Sequence, residues 1–231
     1  MSEELLTPSK ITAWLDCAWY LTLKNGQQQA ELNHPGPLAE LLREKGLSHE
    51  ATCLGEFEAL GLRIYPTPER AKGESFETWV ARVGNPMDGE WDVIYQFPMV
   101  HDGIRGIADF LVRVPSPTQG KANFEPYDAK LSRKQAKPGH VLQLCFYADA
   151  TEALTGLAPE RMHLWLGSGE VESLGVDQFG PYWRRLRRRL AQVIDATPDP
   201  AELHPEPCPH CEFCEFSGHC ETIWRNEDSL V

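Results

Sequence analysis

The chain has 231 residues and a formal net charge of −12, with 22 Lys and Arg against 34 Asp and Glu. A hydrophobic fraction of 42% is enough for a core, so one domain over residues 1–231 is the simplest organisation. No stretch approaches the roughly 18 apolar residues of a membrane span, and the N-terminus lacks the pattern of a signal peptide. We therefore expect a cytoplasmic protein with no membrane segment. The acidic balance argues mildly against nucleic-acid binding.

Helices are predicted first along the chain, followed by strands that helices flank. The apolar spacing predicts helices over residues 8–24, 37–61 and 68–83, with Ser9 as the N-cap of the first. Further along, the pattern predicts strands over 91–100, 103–114 and 124–131, a helix over 138–155, strands over 160–167 and 170–174, and a helix over 177–195. A proline-rich connector leads into the C-terminal segment. Helices that flank a strand meander indicate an α/β or α+β fold.

Four of the seven cysteines stand close together in the segment CPHCEFCEFSGHC, residues 208–220. Without a secretion signal, such clustering indicates metal or iron–sulfur ligation rather than disulfides. Three of the four form a C-x2-C-x5-C pattern: Cys211, Cys214 and Cys220. Four nearby ligands would close a zinc site, whereas an iron–sulfur cluster could recruit the distant Cys17 from the first helix. The alternative for Cys17 is a small buried side chain.

Two carboxylates and a lysine stand on the predicted strands in the middle of the chain. Asp109 shares a strand face with Ile107 and Leu111, and a carboxylate in so apolar a strand is costly to bury without a cation or donors. The next strand places Asp128 and Lys130 two apart on one face. If the strands pair, the three polar residues converge into an oxygen site for Mg²⁺ or Mn²⁺, with a lysine beside it. The alternative is an ion pair on an edge strand.

Two predicted helices add candidate polar residues. His49 falls on an apolar stripe, so it should face inward, either as a core histidine or as a ligand that points towards the carboxylates. The other members of the stripe are Leu38, Leu42, Gly46, Cys53 and Leu60. In the 138–155 helix, Gln143 and Tyr147 lie four apart, on the face opposite the core stripe. That pair either belongs to a solvent-facing surface or contacts a substrate backbone.

Positive charge concentrates in two stretches, KLSRKQAK at residues 130–137 and WRRLRRRL at residues 183–190. In the second stretch the predicted core stripe contains Trp183, Leu186, Leu190 and Val193. The arginines predicted to point away from the core are Arg184, Arg185 and Arg188. That arginine face is either a solvated surface or a rim that binds a single strand.

The order of these motifs resembles the RecB-type PD-(D/E)XK nucleases. The resemblance spans residues 8–231 and rests on GLSHEATCLGEFEALGL, GIADFL, YDAKLSRKQAKPGHVLQLCFYADA and PEPCPHCEFCEFSGHCETIWRNEDSLV. Within that family the pattern is similar to the iron–sulfur branch, which includes the AddB nuclease domain and the CRISPR-associated RecB-family exonucleases. It is most similar to the RecB-like nucleases that are fused to helicases. The resemblance implies a restriction-endonuclease-like core, a mixed sheet flanked by helices, with a cluster joining the N- and C-terminal segments.

The resemblance also implies a role for each motif residue. The catalytic residues would be Lys130, Asp109 and Asp128. The ligands of Mg²⁺ or Mn²⁺ would be His49, Asp109 and Asp128, and the substrate would be positioned by Gln143 and Tyr147. A [4Fe–4S] cluster would be held by Cys17, Cys211, Cys214 and Cys220. Residues 8–24 and 208–220 would thus supply the cluster ligands, and residues 37–155 would carry the active site.

The sequence departs from the family pattern at three positions. Ala108 replaces a proline that is not a ligand, and Asp128 replaces the commoner glutamate, which shortens the reach of the acid but keeps its charge. Cys208 is surplus to the pattern and leaves the choice of the fourth cluster ligand open.

These observations predict a divalent-metal-dependent deoxyribonuclease that acts on single-stranded DNA. A helicase domain or a helicase partner would accompany it, and the chain could be a domain excised from a longer helicase–nuclease. One alternative is a non-catalytic zinc or iron–sulfur module that binds nucleic acid or a protein. Another is a CRISPR spacer-processing nuclease with the same active site. The set formed by Asp109, Asp128 and Lys130 favours an enzyme, because a binding module does not need it.

Overall fold

The computed structural model describes residues 6–25, 37–132, 136–196 and 204–227. Within these ranges no helix has both the length and the apolar character needed to cross a membrane. The chain forms two compact units, one of residues 1–8 and 43–184 and one of residues 9–42 and 185–231. The first unit contains the β-sheet, and the second contains the C-terminal cysteines.

A six-stranded mixed sheet forms the centre of the first unit, and its strands lie side by side in chain order. The strands are β1 (Ile64–Pro66), β2 (Val93–His101), β3 (Ile104–Val114), β4 (Asn123–Lys130), β5 (Arg161–Leu166) and β6 (Val171–Gly175). β1 is parallel to β2 and β4 is parallel to β5, whereas the other neighbours are antiparallel. A mixed sheet flanked by helices confirms the predicted α/β fold and is consistent with a restriction-endonuclease-like core.

Seven α-helices lie within the described ranges. They are α1 (Pro8–Asp16), α2 (Tyr20–Asn25), α3 (Pro37–Ala59), α4 (Phe76–Val83), α5 (Pro138–Thr155), α6 (Val176–Ala196) and α7 (Ser217–Asn226). α5 begins at Pro138, where the missing N–H is not needed, and is capped by Gly156 in the left-handed conformation with φ 68°. The sequence contains both the start signal and the stop signal of this helix, and the helix has the predicted bounds.

Most predicted strands match the structure to within two residues at each end, because alternation and turn residues mark their limits. The helix predicted over residues 68–83 is wrong in its first half, since α4 begins only at Phe76. Two local features stop it there. Gly73 has a φ of 81°, and the Ser75 side chain caps the helix by accepting a hydrogen bond of 3.1 Å from the Thr78 N–H.

The helix predicted over residues 8–24 is two helices, α1 and α2, separated at residues 17–19. The helix begins at Pro8, so Ser9 lies inside its first turn and the predicted N-cap at Ser9 is wrong. No proline or glycine in the sequence announces the break at Cys17, and we have no local physical account of it. The short strand β1 was also not predicted, because three residues are too few for an alternation pattern.

The core stripe predicted for α3 is wrong in its N-terminal half and at Leu60, which follows the end of the helix. Leu38, Leu42 and Leu60 are exposed, whereas Cys53 and Phe57 are buried. Only the C-terminal half packs on the sheet, where the Phe57 ring makes edge contacts with three aromatic rings at centroid distances of 5.2 to 6.2 Å: Phe110, Tyr127 and Trp165. α3 therefore presents to the sheet a stripe that begins later than predicted, near His49.

Candidate active site

Two carboxylates and a lysine meet where strands β3 and β4 lie side by side. The register of the two strands brings Asp109 level with Asp128. Asp128 is 0% exposed, and the Lys130 Nζ lies 2.6 Å from its Oδ2. Asp109 Oδ2 accepts a hydrogen bond of 2.8 Å from the Ala129 N–H. The structure therefore brings the three predicted catalytic residues together; Asp109, Asp128 and Lys130 are called the acid site below.

Negative charge exceeds positive charge in the acid site. Burial and then repulsion by Asp128 hold the pKa of Asp109 well above its ordinary value of 3.8, although Lys130 acts in the opposite direction. Burial opposes the charge of Lys130, but the carboxylates of Asp128 and Asp109 outweigh it and raise the pKa of its ammonium group. Asp128 Oδ1 is buried and accepts no hydrogen bond from any residue that the structure describes. Such a group favours an additional cation.

A third acid, Glu50 on α3, lies beside the acid site. It is buried, and its Oε1 accepts a hydrogen bond of 2.5 Å from the Gln96 side-chain amide. Burial and then the charge of Glu50 raise the pKa of Tyr95, and Glu50 is also one of the charges that raise the pKa of Asp109. Sequence reasoning missed this residue. The available signal was its position three residues before Cys53 and seven before Phe57, a polar residue on the buried stripe.

His49, the predicted third metal ligand, contacts the backbone of β5. Its Nε2 lies 3.1 Å from the carbonyl oxygen of Trp165, and a carbonyl oxygen can only accept, so Nε2 carries the proton. The Cys53 Sγ lies 3.9 Å from the same nitrogen. Only Nδ1 then keeps a lone pair for a metal. Glu50 is the α3 residue whose charge acts on Asp109.

The backbone of β2 is irregular at the level of Asp109. Gln96 has a φ of 51°, although regular pairing continues on both sides of it, at Tyr95 and at Phe97. A non-glycine residue in the left-handed backbone conformation lowers the stability of the fold by about 1–3 kcal/mol, and such residues recur at functional sites. Its amide donates to Glu50. The strained residue therefore helps to fix the buried acid.

Strand β3 changes its face alternation close to the same level. Phe110 packs on Phe57 of α3. A Cβ added at Gly106, four residues earlier, would lie 2.9 Å from the rings of Phe146 and Tyr147 on α5. Residues four apart in a regular strand share a face, so the alternation breaks between Gly106 and Phe110. Gly106 thus faces α5, whereas Phe110 faces α3.

Helix α5 holds the other side of the acid site. Tyr147 is buried and donates a hydrogen bond of 2.5 Å to the carbonyl oxygen of Ile107, two residues before Asp109. The Gln143 amide donates to the Tyr147 hydroxyl at 3.0 Å. Burial, followed by the charges of Asp128 and Asp109, raises the pKa of Tyr147 well above its ordinary value. The predicted pair therefore faces the aspartates and not solvent.

His140 belongs to the same face of α5, three residues before Gln143 and seven before Tyr147. Its Nδ1 accepts a hydrogen bond of 3.3 Å from the Lys137 N–H, which leaves the proton on Nε2. Burial and then Lys130 lower the pKa of His140, whereas Asp128 acts in the opposite direction. A neutral Nε2–H donor thus stands near the acid site. Helical spacing from Gln143 was the signal that could have found it.

The five cysteines predicted as possible ligands are grouped in the second unit; Cys17, Cys208, Cys211, Cys214 and Cys220 are called the cysteine cluster below. The Sγ atoms of Cys208 and Cys211 are 3.8 Å apart. Burial, followed by the charges of the four other cysteines of the cluster, raises the pKa of the Cys220 thiol to about 12. The structure thus places Cys17 near the cysteines of the C-terminal segment.

Contacts of α2 hold the two segments of the cysteine cluster together. The Tyr20 hydroxyl donates to Glu215 Oε1 at 3.0 Å, and its ring meets those of His210 and Phe216 edge-on at 5.6 and 5.7 Å. Lys24 forms an ion pair of 3.5 Å with Glu215. These contacts fix the position of Cys17, three residues before Tyr20.

Backbone N–H groups also point at the cysteine sulfurs. Cys211 Sγ accepts from the Cys208 N–H, and Cys214 Sγ accepts from the Phe216 N–H, each at 3.4 Å. Such donors stabilise thiolates bound to a metal. In the described ranges, no three His, Cys, Asp or Glu side chains are placed closely enough to hold a metal ion as they stand. This applies to the acid site and to the cysteine cluster alike.

Comparison with known proteins assigns the family. The family model of the PD-(D/E)XK nuclease superfamily matches residues 10–221, which include the acid site. Among solved structures, the chain is similar to a protein from Eubacterium rectale named "Putative exonuclease", with 16% identity, a TM-score of 0.48, and coverage of 94% of this chain and 88% of that chain. No curated protein matches the sequence. The chain belongs to the PD-(D/E)XK nuclease superfamily.

Proposed function

We propose that this chain is a divalent-metal-dependent deoxyribonuclease in which Asp109, Asp128 and Lys130 are the catalytic residues. The observation that carries the proposal is the position of the Lys130 ammonium, 2.6 Å from a fully buried carboxylate and beside a second acid. Membership of the superfamily supplies the nuclease activity. DNA as the substrate, and single-stranded DNA in particular, are parts of the proposal.

The chemistry of the acid site fits a hard divalent cation. Asp128 Oδ1 is buried without a hydrogen-bond donor among the described residues, and burial with repulsion by Asp128 holds the pKa of Asp109 high. Oxygen atoms are the ligands that Mg²⁺ and Mn²⁺ prefer. Asp109 and Asp128 would hold the ion, with Glu50 or the Nδ1 of His49 as a further ligand. When bound, such an ion polarises a phosphoryl oxygen and lowers the pKa of water.

The protein groups around the acid site each have a defined task in this proposal. The raised pKa of Lys130 keeps its ammonium charged at neutral pH, so it can stabilise negative charge on the phosphate or orient the attacking water. Tyr147 and Gln143 hold the β3 backbone at Ile107 and thereby the position of Asp109. The Nε2–H of His140 can donate to a phosphate oxygen.

We propose further that the cysteine cluster binds a [4Fe–4S] cluster through Cys17, Cys211, Cys214 and Cys220. The electrostatic interactions among the thiols and the N–H groups that point at two of the sulfurs support this assignment. The bound cluster would staple α1 and α2 to the C-terminal segment. Because it would close a loop of about 200 residues, its main effect would be on stability.

One observation favours zinc as the alternative metal. Two thiolates on one tetrahedral zinc, with Zn–S bonds of about 2.3 Å, stand roughly 3.8 Å apart. The Sγ atoms of Cys208 and Cys211 have that separation. In a [4Fe–4S] cluster each thiolate binds a different iron, so the sulfurs stand farther apart. The absorption spectrum of anaerobically purified protein separates the two, since only iron–thiolate binding gives a broad band near roughly 400 nm.

The remaining parts of the proposal concern context. Residues 1–231 would act as one nuclease domain of the iron–sulfur RecB-type branch, alongside a helicase domain or partner. CRISPR spacer processing would use the same acid site, and a non-catalytic module that only binds nucleic acid or protein would not use it.

Cleavage assays test the proposed function. Purified chain is incubated with labelled single-stranded DNA, double-stranded DNA and RNA, each in Mg²⁺, Mn²⁺ and EDTA. We expect cleavage of single-stranded DNA in either metal and none in EDTA, and no metal-dependent cleavage by Asp128→Asn. Cleavage of RNA alone would contradict the deoxyribonuclease assignment. Absence of cleavage of every substrate by metal-loaded protein would leave the binding module as the function.

A further inference from the structure

Helix α6 carries exposed arginines on one face. Arg185, Arg188 and Arg189 stand at i, i+3 and i+4, so they share a face, and all three are exposed; they are called the arginine face below. The buried residues of α6 are on its other side, as the sequence predicted: Trp183, Leu186 and Leu190. None of the groups in the acid site or in the cysteine cluster comes from this face.

Among the described residues, the arginine face differs in its ion pairing from three exposed arginines elsewhere in the chain. Three arginines elsewhere pair with carboxylates at 2.8 to 3.1 Å, through the pairs Arg63–Asp92, Arg82–Glu74 and Arg225–Glu221. Among the residues that the structure describes, no carboxylate forms an ion pair with Arg185 or Arg188. The sequence between Asp177 and Asp195 also contains no Asp or Glu, so neighbouring turns of α6 supply none.

This arrangement has a cost in the free protein. Like charges at i, i+3 or i, i+4 destabilise a helix. The guanidinium of Arg189 lies 5.6 Å from the Trp14 ring, which gives that residue a packing partner, whereas Arg185 and Arg188 have no such contact among the described side chains. An anionic ligand would remove the repulsion.

We propose that the arginine face binds the phosphate backbone of single-stranded nucleic acid. Guanidinium groups bind phosphate through two parallel hydrogen bonds, and residues four apart are about 6 Å apart along the helix axis, which suits a linear polyanion. Gln192, the next residue along the arginine face, is polar and exposed, and Tyr182, the residue that precedes the face, is an exposed aromatic on which a base can stack, which favours a single strand as the ligand. The inference rests on the proposed function only in the choice of nucleic acid as the anion.

Salt-dependent binding tests this inference without requiring cleavage. The anisotropy of fluorescent oligo-dT is titrated with protein in EDTA between roughly 50 and 400 mM NaCl. Each phosphate contact to a single strand contributes about 0.7 to the slope of log K against log salt. We expect Arg185→Gln/Arg188→Gln to lower the slope by about 1.4 and to weaken binding roughly 25-fold at about 0.1 M salt. The matched control is Arg63→Gln/Arg225→Gln, which removes the same charge from two paired arginines and should keep the wild-type slope.

The outcomes separate this inference from the proposed nuclease function. A wild-type slope in Arg185→Gln/Arg188→Gln, or an equal loss in the control, would overturn the arginine face even if the chain cleaves DNA. Displacement of oligo-dT by polyglutamate at equal charge would indicate an acidic protein as the partner and would also overturn it. A lowered slope in a chain that cleaves nothing would support the arginine face and contradict the nuclease. Circular dichroism checks that both double variants are folded.

Discussion

The acid site and the cysteine cluster are held in place by different means. Asp109, Asp128 and Lys130 lie on paired strands, and backbone hydrogen bonds fix their spacing whether or not an ion is bound. The cysteine cluster lies on helix ends and a short turn, and three of its members, Cys17, Cys208 and Cys211, are only partly buried. The sheet thus holds the acid site without an ion, whereas the cysteine cluster, in the function proposed above, would gain stability from the metal that it binds.

The largest expected effect on activity is that of Lys130→Met. Loss of the ammonium removes charge stabilisation at the phosphate, so we expect kcat to fall roughly a thousandfold, equivalent to about 4 kcal/mol. The apparent affinity for Mn²⁺ should stay within about threefold, because Lys130 is not a ligand. Single-turnover cleavage across a Mn²⁺ titration measures both quantities. Lys72→Met, an exposed lysine outside the acid site, is the control and should retain activity; an equally active Lys130→Met would contradict the assignment.

The second effect concerns stability. Cys17→Ser should lose bound metal and lower the free energy of unfolding by about 3 kcal/mol, which corresponds to roughly 6–12 °C in Tm. Metal content and calorimetry measure the two changes. Cys145→Ser, in the buried face of α5, is the matched control and should keep the metal. If Cys17→Ser keeps its metal while Cys208→Ser loses it, the long-range staple is wrong and the site is local.

The third effect is a pH dependence of stability at the acid site. The folded-state pKa of Asp109 is raised above its ordinary value of 3.8. The stability that Asp109 contributes to the fold is therefore fully present below pH 3.8 and is lost as pH rises through the raised pKa. Asp109→Asn keeps the side-chain oxygen that accepts from Ala129 but cannot ionise. In EDTA the variant should therefore have a higher Tm than wild type at pH 7, and the difference should vanish near pH 4. An Asp109→Asn protein that is less stable at pH 7 would show that the aspartate is not repelled.

The smallest effect is expected for Tyr147→Phe. The change removes the hydroxyl that joins Gln143 to the Ile107 carbonyl and leaves the ring in its buried place. Loss of these hydrogen bonds should cost about 1 kcal/mol of stability. We expect KM to rise by roughly threefold to tenfold with kcat little changed, because the residue positions and does not react. Steady-state kinetics check this division, and a large fall in kcat would instead give Tyr147 a chemical role.

The sequence predicts the strands and the main polar residues because their signals are local. The alternation of apolar and polar residues, together with the turn residues, identifies the strands that carry Asp109, Asp128 and Lys130. Cys17 is suggested by the ligand pattern of the family that the sequence resembles. Glu50 was missed because its position depends on a hydrogen bond from Gln96, which lies 46 residues further along the chain. Gln96 has a left-handed backbone conformation, and no sequence pattern in β2 indicates it. The placement of His49 against the Trp165 carbonyl is likewise set by packing between distant segments.

Asp109 and Asp128 are proposed to hold a divalent cation, and Mn²⁺-dependent stabilisation tests this claim without any assay of cleavage. A ligand at about 100 times its Kd stabilises the folded state by about 2.7 kcal/mol, so Tm of the wild type should rise by roughly 5–11 °C. Asp128→Asn should fold, should start from an equal or higher Tm in EDTA, and should show no rise with Mn²⁺. An unchanged wild-type Tm in saturating Mn²⁺, or an equal rise in Asp128→Asn, would contradict the claim.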